Sequence, residues 1–234
     1  MPLLIETEAG RYMTKLRGAA QGTAPLIAEI IVAELAEALG LSVPERTLVQ
    51  LDAGTPSDDR NDEVADLRHA SVGLNLGFAY LEGARELRRD RRGLIDEASA
   101  VRILWLDWLV ANVDRTWANP NILIHAGAPQ LIDHGAALHF QYGWSELTEE
   151  SPTENHFDVT THLFVELAPR AVEAHDALAA KLSRAIIDAA VAAVSSDFLE
   201  SAGAALRPSP DAQRHRMHFA AFLWKRLKAP PAWD

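Results

Sequence analysis

Three polar side chains follow apolar segments near the middle of the chain, and their types suit phosphate chemistry. Asp114 and Asn119 lie in NVDRTWANPN, residues 112–121, and Asp133 lies in IDHG, residues 132–135. Transfer of a phosphoryl group from a nucleotide needs a carboxylate that orients the acceptor hydroxyl and oxygen ligands for magnesium ions. These three residues could supply both.

The spacing of the three residues favours this interpretation. In protein kinases the catalytic aspartate precedes a metal-binding asparagine by five residues, and a further metal-binding aspartate precedes a glycine. Asp114 and Asn119 are five residues apart, and NILIH and PQLID predict a short hairpin that leads to Asp133. Each motif alone is also typical of a capping or turn loop. Their order after an apolar helix favours phosphoryl transfer.

Two elements upstream carry further charged residues. RYMTKL, residues 11–16, alternates as a strand does, so Lys15 could point into a cleft. LIAEIIVAELAEALG, residues 26–40, predicts a helix that ends at a C-cap glycine. Glu29 is the first glutamate of that helix, and Glu34 is left open as an alternative partner for a cleft lysine.

The remaining pattern predicts a small mixed part followed by a larger helical part, an α+β outline with two lobes. The boundary is placed between a unit at residues 1–85 and a unit at residues 86–234. Strands are predicted within 41–52 and 69–84, a polar loop at 54–63 and another polar segment at 139–158. Helices are predicted at 94–111, 171–182, 183–200 and 211–228.

The composition is that of a globular protein, with 48% hydrophobic and 24% charged residues among 234. A net charge of -11 argues against nucleic-acid or anionic-membrane partners, which attract basic surfaces. The absence of cysteine excludes disulfides and thiolate metal sites, and agrees with a cytoplasmic location. No signal peptide or membrane-spanning apolar run is evident. The basic run RELRRDRRG, residues 85–93, has acidic residues interleaved and is interpreted as a solvated connection.

Three other patterns have ordinary explanations. The glycines of GAAQG, residues 18–22, are a weak phosphate-loop motif and are better explained as a connector. The apolar stripe in residues 215–227 is better explained by core packing than by a partner helix. The spacing of several histidines gives little support to a transition-metal site: His125, His134, His139, His156 and His162.

Four segments together resemble the HipA-like kinase family, bacterial serine/threonine kinases with a two-lobe fold distantly related to protein and lipid kinases. The segments are YMTKL, AEIIVAELAEALGLSVP, NVDRTWANPN and LIDHG, and the resemblance covers about residues 12–138. It implies a protein-kinase-like fold with a small mixed α/β N-lobe, incomplete at its N-terminus, and a mostly helical C-lobe.

The resemblance also implies roles for five residues. Asp114 corresponds to the catalytic base, and Asn119 and Asp133 to the ligands of Mg²⁺. Lys15 corresponds to the residue that contacts the α- and β-phosphates of ATP, and Glu29 to its partner on the following helix.

Two further residues of the same loop keep alternative roles. Asn121 is kept as an alternative metal ligand. Arg115 is expected to brace either the loop or a phosphate.

The chain departs from the family pattern in three ways. The usual DRH is DRT here, with Thr116 in place of histidine, which puts the supporting contacts of the loop in question. Only fourteen residues precede Lys15, too few for a full glycine-rich hairpin over the phosphates. The chain is also expected to be a compact variant without the long N-terminal subdomain of full-length HipA toxins.

The leading expectation is therefore an ATP- and Mg²⁺-dependent kinase that phosphorylates serine or threonine in a protein. The alternatives are a pseudokinase or nucleotide-binding and partner-binding module, and a small-molecule or lipid kinase. The resemblance suggests an antitoxin-type partner, while direct nucleic-acid and membrane partners are not expected. Self-phosphorylation is a family expectation, with these candidate acceptors: Ser145, Thr148, Ser151, Thr153, Thr160 and Thr161.

Overall fold

A computed structural model of the protein describes residues 2–19, 21–56, 61–154, 157–206 and 211–233. The architecture is mixed α/β, with small antiparallel sheets and a C-terminal part that is mostly helical. It is compatible with a kinase-like fold. The division into lobes after residue 85 stays a prediction.

The strands form two antiparallel sheets, ordered β1-β2-β4-β3 and β5-β6-β7. The predicted strand at 11–16 and the predicted hairpin before Asp133 are confirmed. The bounds of the strands are β1 (Leu3–Thr7), β2 (Gly10–Lys15), β3 (Arg46–Leu51), β4 (Gly73–Ala79), β5 (Arg85–Glu86), β6 (Ile122–His125) and β7 (Ala128–Leu131).

Among the described residues, three α-helices precede β6 in the chain and five follow β7. None that lies in the described ranges is both long and apolar enough to cross a membrane. Their bounds are α1 (Ala24–Ala38), α2 (Asp62–His69), α3 (Glu97–Leu109), α4 (Ala168–Glu173), α5 (His175–Ala179), α6 (Arg184–Ala192), α7 (Ser196–Leu206) and α8 (Ala212–Arg226).

The structure differs from the sequence prediction in the placement of several helices. The polar loop predicted at 54–63 is confirmed at the described residues 54–56 and 61, whereas residues 57–60 lie outside the described residues. The helix α2, which was not predicted, follows from Asp62, and Asn61 caps its start through the backbone N–H of Glu63 (2.9 Å). The helix predicted at 171–182 is two short helices, and the one predicted at 183–200 divides into α6 and α7. Arg216 donates to the carbonyl oxygen of Val194 between those two helices, at 2.7 Å.

Helix α1 is buried on nearly all sides, which explains why its apolar residues are not confined to one stripe. It contacts α3, α6 and α7. At its C-terminus the N–H of Leu41 donates to Ala36 O and the N–H of Gly40 to Glu37 O, both at 2.9 Å. This is a Schellman motif, and Gly40 has the left-handed φ of +74° that the motif requires. The predicted C-cap glycine is confirmed.

One cluster of buried residues joins α1, β4, α3 and the C-terminal helices. The stripe of α8 supplies Phe219, Phe222 and Leu223 to this cluster, so the core interpretation of that stripe is correct for these residues. Met217 is the exception, since 60% of its surface is exposed.

A hairpin does precede Lys15, although it is not glycine-rich. β1 pairs with β2 from Leu3↔Thr14 to Thr7↔Gly10, so the fourteen residues suffice for two paired strands. The turn lies beside Gly10, at the opposite end of β2 from Lys15, which is roughly 17 Å away at about 3.4 Å per residue. The turn therefore does not cover a phosphate held at Lys15.

The loop after Lys15 is fixed by close packing against the segment between α2 and β4. The N–H of Gly18 donates to Ser71 Oγ at 3.0 Å. A Cβ atom at Gly18 would meet the backbone carbon of Ala70 and Ser71 Oγ, both at 2.6 Å. The predicted connector is thus tightly packed at its first glycine.

Gly18→Ala is expected to lower the free energy of unfolding by about 1–3 kcal/mol, because backbone atoms must move to admit the methyl group. Urea unfolding followed by circular dichroism measures the change. Gly93→Ala is the control, since a Cβ atom there meets nothing within 4 Å. Equal unfolding free energies for the two variants would contradict the close approach.

Candidate active site

Lys15 lies at the end of β2 between two carboxylates from distant parts of the chain. Its Nζ atom donates to Glu29 Oε1 on α1 and to Asp133 Oδ1 after β7, the latter at 2.5 Å. The side chain of Glu29 is wholly buried, whereas 52% of the Asp133 side chain is exposed. The cluster therefore has one buried and one accessible carboxylate.

The charge of Lys15 is stabilised by this arrangement. Burial alone would lower the pKa of Lys15, but the charges of Glu29 and Asp133 outweigh it and raise that pKa above its usual value. Burial raises the pKa of the Glu29 carboxyl, and Lys15 acts against that rise. The cationic form of Lys15 is therefore favoured in this cluster.

The structure distinguishes between the two glutamates that the sequence left open. Glu34 pairs with Arg46 of β3, whose Nη2 atom lies 2.8 Å from Glu34 Oε1. Glu29, one and a half turns earlier, faces Lys15 instead. Glu29 is therefore the helix residue that contacts the strand lysine.

The segment that follows α3 is turned sharply before it reaches Asp114. Ala111 has a left-handed φ of +53°, and the N–H of Asn112 donates back to Asp107 O at 2.8 Å. The N–H of Leu138 donates to Val110 O at 2.8 Å, which ties this turn to the segment after Asp133. The loop thus starts from a fixed point on the core.

Two asparagine side chains hold the carboxylate of Asp114. Asp114 Oδ2 accepts hydrogen bonds from Asn119 Nδ2 at 2.8 Å and from Asn121 Nδ2 at 3.2 Å. Asp114 is partly exposed, while Asn121 is buried and has a left-handed φ of +51°. The two asparagines therefore fix one carboxylate oxygen, Oδ2, of a partly exposed side chain.

Thr116, the departure from DRH, supports the loop through its own hydroxyl group. Thr116 Oγ1 accepts from the N–H groups of Ala118 and Asn119, each at 3.2 Å. The N–H of Thr116 also donates to Asn119 O at 3.1 Å. These bonds close the turn between Asp114 and Asn119, so threonine supplies supporting contacts of its own.

Arg115 points away from the cleft and is fully buried. Its Nε atom donates to Asp107 Oδ2 at 2.6 Å, and Nη1 donates to the carbonyl oxygen of Asn121 at 2.6 Å. Its Nη2 atom lies 3.3 Å from His134 Nδ1. A side chain with no exposed surface does not reach a bound phosphate, so of the two roles left open Arg115 has the bracing one.

Asp107 of α3 is the buried counter-charge of Arg115. Burial would raise the pKa of Asp107, but the charge of Arg115 and the hydrogen bond from His162 lower it to about 2. The N–H of Phe164 donates to His162 Nδ1, so the proton of this ring is assigned to Nε2, which lies 3.0 Å from Asp107 Oδ2. Asp107 is therefore a carboxylate, held from two sides.

His134, next to Asp133, is a neutral ring in the same network. Burial and the charge of Arg115 lower the pKa of His134 well below its usual value. Together with His162 it accounts for two of the histidines that the sequence raised as metal ligands; His156 lies outside the described residues. Among the described residues no group of three or more His, Asp or Glu side chains is arranged to hold a metal ion.

Backbone contacts bring the two halves of the candidate site together. The N–H of Ile132 donates to Asn121 O at 3.0 Å, next to Asp133 in the chain. Lys15 donates to both Glu29 and Asp133, and Asn119 donates to Asp114. The five residues singled out in the sequence thus form two contact groups, joined through the bond between residues 121 and 132.

Three backbone N–H groups of residues 18–22 are hydrogen-bonded within the protein and are therefore not available to a phosphate. The N–H of Gly18 is bonded to Ser71, that of Ala19 to Leu16 O and that of Gly22 to Ala19 O. Arg17 at its start is held by Asp197 (2.7 Å) and Ser201 (2.6 Å) of α7. The connector interpretation of GAAQG is favoured over a phosphate loop.

The donor atoms near Asp133 suit a magnesium ion. Asn119 gives its Nδ2 group to Asp114, which leaves its Oδ1 oxygen for a cation, and Asp133 presents a half-exposed carboxylate. Mg²⁺ is commonly bound by one or two protein oxygens together with waters and substrate phosphates. A set of two protein ligands therefore fits a metal that arrives with a nucleotide.

Two residues of the network were missed in the sequence. Asp107 is the one charged residue in the apolar run ILWLDWLVA, and this pattern could have indicated a buried carboxylate. His162 gave no local signal, because a segment distant in sequence carries it next to Thr116, with which it forms an isolated β-bridge.

Comparison with known proteins identifies the family. A family model described as HipA-like kinase matches residues 4–195. The match spans most of the chain, including every residue of the candidate site, and the protein therefore belongs to the HipA-like kinase family. Membership indicates a phosphotransferase. A search of curated proteins finds no match.

Asp107→Asn is expected to lower the free energy of unfolding at neutral pH by about 3–5 kcal/mol, because it leaves the buried charge of Arg115 without its counter-charge. The wild type has a further acid dependence. Since folding lowers the pKa of Asp107 from 3.8 to about 2, its contribution of about 2 kcal/mol is present above pH 4 and is lost as the pH falls towards 2.

Urea unfolding of both proteins between pH 2 and pH 7 measures these effects. The difference between wild type and variant should shrink below pH 4. Asp188→Asn is the control, because its ion pair with Arg184 is exposed and should contribute less than about 1 kcal/mol. A difference between wild type and Asp107→Asn that stays constant from pH 4 to pH 2 would argue against a carboxylate with a lowered pKa.

Proposed function

We propose that the protein is an ATP- and Mg²⁺-dependent kinase that transfers the γ-phosphoryl group to a serine or threonine hydroxyl of a protein. The observation that carries the proposal is the position of Lys15 between Glu29 and Asp133, with the Asp114 loop bonded to the segment before Asp133. Charged groups at this junction suit a triphosphate, its metal ion and an acceptor hydroxyl.

Lys15 is the residue proposed to bind the α- and β-phosphates. Its raised pKa keeps it cationic at neutral pH, and Glu29 holds it from the buried side. Asp133 contacts Lys15 from the accessible side. When a nucleotide enters, phosphate oxygens can replace Asp133 as the partner of Lys15, which releases this carboxylate.

Asn119 and Asp133 are the proposed ligands of Mg²⁺. When bound, the ion neutralises the charge of the phosphates. Asn119 is already positioned for this role, because its amide nitrogen is fixed by Asp114 and its oxygen points elsewhere. Asn121 is less suited, since it is buried and its side chain also donates to Asp114.

Asp114 is the proposed catalytic base. Its Oδ1 atom accepts a hydrogen bond from the acceptor hydroxyl and orients the oxygen towards the γ-phosphorus. The oxygen forms a bond to phosphorus while the bond from phosphorus to the β-γ bridging oxygen breaks, and ADP leaves with that electron pair. The hydroxyl proton passes to Asp114. The two asparagine bonds to Oδ2 keep the carboxylate from rotating.

A pseudokinase that binds nucleotide without turnover is the second candidate. Two observations favour it: the turn of the β1-β2 hairpin lies at the far end of β2 from Lys15, and three amides of residues 18–22 are bonded within the protein. Phosphates at Lys15 would then have fewer backbone donors than in most kinases. A protein substrate and an antitoxin-type partner, expected from the family resemblance, form part of the kinase proposal, as does a cytoplasmic location, expected from the absence of cysteine.

Asp114→Ala and Asp133→Asn are each expected to reduce phosphoryl transfer by about 100-fold or more, because they remove the base and a metal ligand. Asparagine is chosen at Asp133 because it tolerates the left-handed φ of +56° found there. The assay measures label from γ-labelled ATP on the protein and on added cell extract.

Asp52→Ala, an exposed carboxylate outside the site, is the matched control and should transfer at the wild-type rate. Nucleotide binding is measured in parallel by calorimetry. Transfer that persists in both site variants would refute the assignment. Wild-type binding that depends on Asp133 without any transfer would identify a pseudokinase.

A further inference from the structure

The basic run at residues 85–93 lies beside the loop that carries Asp114. A surface groove of about 670 Å³ is lined on one side by Glu86, Leu87, Arg88, Arg89 and Asp90, and on the other by Trp117, Ala118 and Pro120. The second group comes from the turn between Asp114 and Asn121. The segment therefore borders the loop that carries Asp114. The interpretation as a solvated connection does not account for this position.

One arginine is held against the loop by its aromatic residue. The guanidinium carbon of Arg89 lies 4.9 Å from the centre of the Trp117 ring. Such a contact fixes a positive charge over the indole face while leaving the donor groups of the guanidinium open to a ligand. Trp117 is three residues from Asp114, so this charge is anchored close to the proposed base.

Arg88 adds an accessible charge to the same groove. Its side chain is 76% exposed, and its ion pair with Asp90 (3.2 Å) is exposed as well. Exposed pairs of this kind are weak, so an incoming carboxylate can compete with Asp90. Arg92 is different, because it is turned towards the protein and donates to the carbonyl oxygen of Ile95 at 3.0 Å.

The charge of the segment stands out in an acidic protein. The whole chain carries -11, yet Arg85, Arg88, Arg89 and Arg91 are exposed here and outnumber the two interleaved acids at residues 86 and 90. Glu86 and Asp90 offset Arg88 and Arg89 within the groove itself, so the short-range attraction for an acidic ligand comes from the excess of arginines over the whole segment.

We propose that this groove binds acidic residues of the protein substrate, so that the kinase prefers serine or threonine flanked by aspartate or glutamate. The inference rests on the proposed function and names its substrate class. An extended peptide spans about 3.3 Å per residue, so residues a few positions from a hydroxyl at Asp114 reach Trp117 and the two arginines. Carboxylates there would pair with Arg88 and Arg89.

Binding and transfer are measured with three fluorescein-labelled peptides that differ only in the residues around one central serine. These residues are glutamate, glutamine or lysine. The wild type should bind the glutamate peptide about tenfold more tightly than the glutamine peptide at low salt, and kcat/KM should follow the same order. The preference should shrink as the salt concentration rises.

Variants test whether the groove causes the preference. Arg88→Glu combined with Arg89→Glu should reverse it in favour of the lysine peptide, a gain that an unfolded protein cannot show. Asp90→Asn should strengthen binding of the glutamate peptide severalfold, because Arg88 loses its competing partner. Arg184→Glu, a charge reversal on α6 remote in sequence from this segment, should leave the preference unchanged.

The outcomes separate this inference from the proposed function. Equal transfer to all three peptides would retain the kinase and overturn the groove. Tight, Arg88-dependent binding of the glutamate peptide without transfer would retain the groove and overturn the kinase. An RNA oligonucleotide that bound in place of the glutamate peptide, with the same dependence on Arg88, would overturn the assignment of a protein substrate.

Discussion

The buried charge of Arg115 constrains the centre of this protein more than any other group. A guanidinium without exposed surface must find acceptors inside the protein, because an unpaired buried charge costs several kcal/mol. Arg115 finds them on three separate segments: the carboxylate of Asp107 on α3, the carbonyl oxygen of Asn121 and the ring of His134. A shift of any one of these segments would leave the guanidinium underbonded. The ion pair therefore fixes the catalytic loop and the segment after β7 relative to the core helix.

The ion pairs of Lys15 have the opposite character, although they lie in the same region. Glu29 is fully buried and has Lys15 as its counter-charge, so that contact is permanent. The Asp133 carboxylate is half exposed and can exchange Lys15 for water or for a metal ion at little cost. On the proposed function, one buried partner and one accessible partner would let Lys15 keep its contact with Glu29 when a phosphate replaces Asp133. Rigid bracing below the loops thus coexists with an accessible ion pair at the candidate site.

The sequence predicted the elements that carry the site, because their patterns are local. Apolar spacing predicted α1 and α3, and the hairpin that leads to Asp133 was visible as two short apolar segments around a glycine. The contacts between these elements depend on packing and were less accessible. The sequence left open whether Glu29 or Glu34 pairs with Lys15. The answer depends on Arg46, which lies on the strand after the helix and forms an ion pair with Glu34.

The residues beneath the site show where local reasoning ends. Asp107 was recognisable as a lone acid in an apolar helix, and such a residue needs a buried partner. The identity of that partner could not be read from spacing, since Arg115 also had a plausible role at a phosphate. Its burial decides between the two roles. The sequence raised His162 only as a weakly supported metal ligand. Its contact with Asp107 had no local signal, because His162 is brought there by a bridge between segments more than forty residues apart.

The side chains of the loop from Asp114 to Asn121 point in different directions, and each direction has its own function. Arg115 points into the core and sets the position of the loop, while Thr116 closes the turn through its hydroxyl group. Asp114 remains partly exposed, and the half-buried Trp117 packs against the core and contacts Arg89 with its ring. The residues that position the loop are therefore distinct from those proposed to face a protein substrate. On that proposal, replacement of the more exposed residues could alter which substrate is accepted without disturbing the buried ion pair that holds the Asp114 loop in place.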